Sequence, residues 1–176
     1  MSSRVSIFLG CLVLVAASVF GINYVNLQRP LTALIDSDKR NGGISIRAHY
    51  DNYLPSKTLV FDIRDIDGEK SPLDVFRLFL QFAEVKKDSS FDTVKLSFRG
   101  TTKFILKGNY FNTLGVEYKS QNPAYTIRTF PEKLYKPDGR QAFGTWSGGI
   151  LGVLSRQMED FSEFHKQWYL EELSAK

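Results

Sequence analysis

Residues 58–85 read TLVFDIRDIDGEKSPLDVFRLFLQFAEV, and the change of hydrophobic period inside them decides the fold. From Thr58 to Ile66 the apolar Leu59, Phe61 and Ile63 alternate with Val60, Asp62 and Arg64 at the two-residue period of a strand. The second face is mixed rather than wholly polar, as suits a strand near a sheet centre. After Asp67-Gly68 the period lengthens. Ser71 can cap free amides, Pro72 fits a first helical turn, and the acid Asp74 complements the helix dipole. Val75, Leu78, Phe79, Phe82 and Val85 then form one apolar stripe, which Lys86 and Lys87 close.

Upstream, Ile44, Ile46, Ala48 and Tyr50 alternate with Ser45, Arg47, His49 and Asp51, giving a strand that turns at Leu54-Pro55-Ser56-Lys57. Downstream, Val94, Leu96 and Phe98 make another, joined through Arg99-Gly100-Thr101 to Phe104 and Leu106 as a hairpin. Gly108 to Tyr118 reads as a short helix with Phe111, Leu114 and Tyr118 inward. After Asn122-Pro123 a last strand is expected from Tyr125 to Phe130. A closing helix starts near Gly149 and runs to about Leu173, with Ile150, Leu154, Met158, Phe161, Phe164 and Trp168 on its buried stripe. This order predicts an α+β fold, a mixed, mainly antiparallel sheet of about five strands covered by three helices.

The domain, residues 44–176, follows an N-terminal segment of different character. Residues 1–26 hold one base, Arg4, and no acid, and Ile7 to Ile22 is free of charge, Asn and Gln for 16 residues. A bilayer span takes about 20 apolar residues, whereas a secretory signal has an apolar centre of about 7 to 15 followed by small residues. The run continues through Val19, Phe20, Gly21 and Ile22, past the small-residue cleavage patterns around Ala16-Ala17-Ser18. We therefore expect a retained anchor embedded through residues 7–25, with cleavage and secretion as the alternative. Gly10-Cys11 also invites a lipoprotein reading, which the short spacing from Arg4 and the continuing run disfavour. Arg4 and the terminal amine place the N-terminus in the cytoplasm and the domain outside it. Residues 27–43, bounded by Pro30 and Asn41-Gly42-Gly43, read as a juxtamembrane linker.

Composition narrows the chemistry. Beyond residue 26 there are 22 Lys+Arg against 19 Asp+Glu, a surplus too small to argue for nucleic acid. The one cysteine, Cys11, lies in the hydrophobic segment, which removes disulfides and thiol chemistry from the domain. Asp62-x-x-Asp65-x-Asp67-Gly68 has the look of a calcium loop, but with Gly68 at the sixth position the first ligand would be Ile63. His49 and His165 stand far apart and are expected at surface or interfacial positions. No metal or cofactor is implied.

Thr145-Trp146-Ser147-Gly148-Gly149 resembles the nucleophile elbow of lipases and other α/β-hydrolases, with Thr in place of the first Gly of G-x-S-x-G. That resemblance implies an envelope serine hydrolase using Ser147, and it covers five residues. Asp160 and His165 follow on the same expected helix, where a rise of 1.5 Å per residue sets His165 roughly 25 Å from Ser147. Ser147 is therefore expected to cap the closing helix. The remaining signal is the aperiodic stretch 131–149, which carries Lys133, Tyr135, Lys136, Arg140 and Trp146 and ends at Gly148 and Gly149 before a helix whose free amides can hold an anion. These seven residues are the candidate site for a protein partner or an anionic ligand. The leading expectation is a membrane-tethered extracytoplasmic binding or assembly module of the cell envelope.

Overall fold

The computed structural model describes residues 2–175, and for residues 2–7 and Ile150 the backbone alone. Five strands form one open mixed sheet in the order β1 (Ile44–Tyr50), β2 (Thr58–Ile66), β3 (Thr93–Phe98), β4 (Thr101–Lys107) and β5 (Leu134–Tyr135). The β2–β3 pair is parallel and the other three are antiparallel. A parallel pair needs a crossover, and α3 (Pro72–Val85) supplies it. Ser71 and Asp74 make a reciprocal capping box at its start, as their spacing allows.

Leu59, Phe61, Ile63, Leu96, Phe98 and Phe104 all point to one face, where α3 lays Val75, Leu78, Phe79 and Phe82. Phe61 meets Phe79 edge to face at 5.2 Å between centroids, and Trp168 closes the layer from the C-terminal helix. Helix α4 (Gly108–Glu117) runs against α3 with Phe111 and Leu114 inward. Contact is so close that a Cβ on Gly115 would lie 2.2 Å from the Ala83 carbonyl oxygen, so only glycine fits there.

More helix is present than the three expected segments, and two stretches differ from the sequence reading. Tyr125 to Phe130 is not a strand but belongs to α5 (Pro123–Thr129) and its C-cap. Asn122 accepts from the Ala124 amide at 2.9 Å and Pro123 occupies the first turn, so the chain enters a helix there. Its short polar-apolar pattern also fits a helix in which Thr126 and Phe130, four apart, both turn inward. The fifth strand is instead the two-residue β5. The second difference is residues 27–37, read as linker. Helix α1 (Ser2–Asn23) passes through a π turn (Tyr24–Gln28) straight into α2 (Arg29–Ser37), and Leu27 and Leu31 are buried in the common core.

The closing helix, α6 (Ile150–His165), continues through a π turn (Lys166–Leu170) into α7 (Glu171–Ser174). Phe161, Phe164 and Trp168 are buried as expected, but Met158 is 46% exposed and Leu154 only half-buried. Gln157 takes the inward position, donating to Glu132 Oε1 at 3.0 Å, while the Ile150 side chain lies outside the described residues. His165, expected at a surface or interfacial position, is fully buried among Phe76, Phe161 and Phe164.

Candidate functional site at the junction of the N-terminal helix and the sheet

β1 is an edge strand, and alternate amides and carbonyls along its outer side lack a neighbouring strand. Two side chains of the N-terminal helix take them. Asn23 accepts from the Tyr50 amide at 2.8 Å through Oδ1 and donates to the Tyr53 carbonyl at 2.6 Å through Nδ2. Gln28 accepts from the Ala48 amide at 2.9 Å and donates to the Ile46 carbonyl at 3.3 Å. Asn23 and Gln28 are five residues apart, on different faces of an α-helix, but in a π turn residues five apart are bonded neighbours. The π turn Tyr24–Gln28 thereby aligns both amides with the strand.

Pro30 lies in the same stretch and has no N–H, so the Asn26 carbonyl loses its α-helical donor. The Lys86 ammonium at the end of α3 donates to that carbonyl. Burial lowers the pKa of Lys86, a cost the carbonyl contact partly offsets.

Below this joint, apart from Phe20 beside the Tyr53 ring, the N-terminal helix stands clear of the domain. Phe8, Leu9, Leu12, Val13, Leu14, Val15 and Phe20 are all about 60% or more exposed, and the helix is long and apolar enough to cross a bilayer. A cleft of about 520 Å³ opens between this helix and the solvent face of β1, lined by Phe20 and Tyr24 on one side and Arg47, His49, Tyr53 and Arg64 on the other. His49 stacks on Tyr53 at 4.2 Å between ring centroids. A second, largely apolar groove of about 330 Å³ lies between α3, α4 and α5, with Leu73, Leu80, Leu114 and Ile127 along it and Arg77 at its side.

The stretch 131–149 is more ordered than its sequence suggests. Tyr135 pairs with Gln141, and the Lys136 amide bonds the Arg140 carbonyl at 2.7 Å, so Pro137-Asp138-Gly139 is the tip of a tight hairpin with Gly139 at φ +87°. The candidate residues do not converge. Lys133 is exposed; Lys107 lies over the Tyr135 ring at 5.2 Å; Lys136 spans the Phe104 ring and reaches Gln167. Arg140 pairs with Asp138 at 2.8 Å, and that pairing lowers the Asp138 pKa. Trp146 is elsewhere, its indole N–H donating to Asp160 at 2.6 Å and its ring lying under Arg156. Gln167 and Asp160 are seven residues apart, which is about 10 Å along the helix and separates the two groups.

Ser147 does not cap α6. Gly149 is the N-cap residue, without a side-chain bond to the free amides, and Gly148 before it has φ +129°. Ser147 is exposed, and among the described residues no hydrogen bond joins its side chain to a histidine or carboxylate. Asp160 is taken by Trp146, and His165 is buried with Nδ1 on the Tyr169 hydroxyl. The acids of the calcium-like stretch disperse. Asp62 is buried, binding Arg64 and the Gly100 amide, while Asp65 pairs with Arg99.

No protein-family model matches the chain, and neither a curated protein nor a solved structure resembles it. What the residues build therefore carries the functional reading. Sequence reasoning missed Asn23 and Gln28. The signal was there, as two amide side chains within a helix that leads to an edge strand, but only the π turn puts them in line.

Proposed function

We propose that this chain is a membrane-tethered binding or assembly module of the cell envelope, with the N-terminus in the cytoplasm and the domain outside it. One observation carries the reading: a single unbroken helix has exposed apolar side chains over its first half and core residues, Leu27 and Leu31, in its second. Exposed apolar surface of that extent needs a covering, and a bilayer is the covering that matches its length. Arg4 on the near side supports the orientation. The binding surface we assign is the turn before α6, where the half-exposed Trp146 stands beside Gly148 and the uncapped amides following Gly149. Those features suit a protein partner or an anionic group.

Alkaline carbonate extraction, N-terminal mass spectrometry and protease treatment of intact cells test the tether together. The expected result is a membrane-retained chain still carrying residues before Ala17, with the domain digested from outside. A soluble chain beginning near Ser18 or Val19 overturns it.

A further inference from the structure

We propose that the β1–β2 turn is a second membrane contact, in which Tyr53 and Leu54 insert into the headgroup layer of the bilayer that the N-terminal helix crosses; this rests on the tether reading above. β1 runs toward the anchor, since its last residue, Tyr50, meets Asn23 while Ile46 meets Gln28. The chain leaving β1 therefore continues down the side of the anchor helix. It does so visibly, because the Tyr53 ring lies 5.8 Å from that of Phe20, three residues below Asn23.

Length then fixes the depth. The run Ile7 to Ile22 has 16 residues, roughly 24 Å of helix against a hydrocarbon core of about 30 Å. A run about 6 Å shorter than the core uses its whole apolar length, so Phe20 lies within the membrane and Tyr53 at its surface. Tyr24 and Tyr53 are then two aromatic residues at one interface, the position such rings favour. Leu54, 60% exposed, is the next side chain along.

The backbone is held to this arrangement at a cost. Asn52 and Tyr53 have φ of +52° and +60°, an unusual pair for residues with side chains. The strain is sustained by Asn23 gripping the Tyr53 carbonyl and by His49 stacked on its ring. Beside the turn Lys95 pairs with Asp51 and Lys57 with Asp92, and Arg47 donates to the Tyr53 hydroxyl, so the nearby bases are engaged within the domain and apolar insertion rather than attraction to anionic lipid drives the contact.

The test uses the full chain with Cys11→Ser, carrying one environment-sensitive fluorophore at Leu14→Cys, Leu54→Cys or Leu73→Cys, in phosphatidylcholine vesicles containing nitroxide-labelled lipid. Leu73 is exposed near the start of α3, about 20 Å from Lys86, and serves as the distal control. Quenching is expected at positions 14 and 54, several-fold stronger than at 73, and unchanged by adding anionic lipid. Quenching at 14 alone overturns the second contact and leaves the tether standing, whereas quenching at none overturns the tether. A label at 54 shielded from both lipid nitroxide and aqueous iodide would mean that protein covers the turn, and quenching that required anionic lipid would refute insertion by the apolar side chains; either result overturns the proposal.

Discussion

At one edge of the sheet, β1 has its outward amides taken by Asn23 and Gln28 and its flank filled by Leu27 and Leu31. At the other, β5 is two residues long and gives way to a hairpin, an exposed turn and a helix on which Leu151, at 82% exposure, stands in solvent. Both arrangements prevent open-ended strand pairing, one by covering the edge and the other by shortening it. The difference teaches where rigidity is invested. The covered edge joins the N-terminal helix to the core, and the shortened edge is left exposed.

The largest expected effect sharpens that contrast. Leu31→Ala empties a fully buried site and should cost about 2–5 kcal/mol in denaturant unfolding, while Leu151→Ala should stay within about 0.5 kcal/mol. Equal losses would erase the distinction between the two edges.

Acid should separate them next. Burial pushes the His165 pKa down to about 3, so the ring is neutral in the fold. Between its ordinary value near 6.5 and that lower one, the unfolded chain binds the extra proton, and stability rises with pH across this window. Each unit below 6.5 costs up to about 1.4 kcal/mol, or about 2.7 kcal/mol at pH 4.5. Amide exchange at pH 4.5 should therefore open α6 around Phe161 and Phe164 first, leaving the Asn23–Tyr50 bond protected, and His165→Gln should remove most of the slope.

A smaller effect belongs to the covered edge alone. Asn23→Ala strands the Tyr50 amide and should cost about 1–3 kcal/mol, with faster exchange confined to β1 and the turn after it. The smallest belongs to the free edge. Trp146→Ala loses one hydrogen bond to Asp160 and should lower stability by about 1 kcal/mol while reducing cross-links to membrane neighbours. A loss of about 3–5 kcal/mol would instead make Trp146 a core residue and end the contact role proposed for it.

Much of this was legible from period alone. β1, β2, α3, the β3–β4 hairpin and α4 follow from alternation, helical spacing and the Ser71 cap, since in each the local preference and the packing agree. Disagreement arose where short segments admit two periods or a breaker is overridden. YTIRTF after Pro123 alternates like a strand, yet the Asn122 cap and the inward pair Thr126 and Phe130 decide for helix. Pro30 reads as a boundary, yet the π turn and Lys86 carry the helix through it. Of the candidate site, the sequence showed which residue types stand in 131–149 but not that Lys136 and Trp146 lean on different turns of α6 and its continuation, a separation that depends on three dimensions.

The unbroken passage from N-terminal helix to core has a geometric consequence for anything the domain meets. A flexible tether would let the domain sample a hemisphere whose radius grows with linker length. On the tether we propose there is no such freedom, so each tilt or axial rotation of the helix in the lipid turns the whole domain with it, and at a given tilt the turn at Trp146 sweeps one circle at one height. A partner anchored in the same bilayer at the matching height would search two dimensions instead of three, while one whose complementary patch sat at a different altitude would miss entirely.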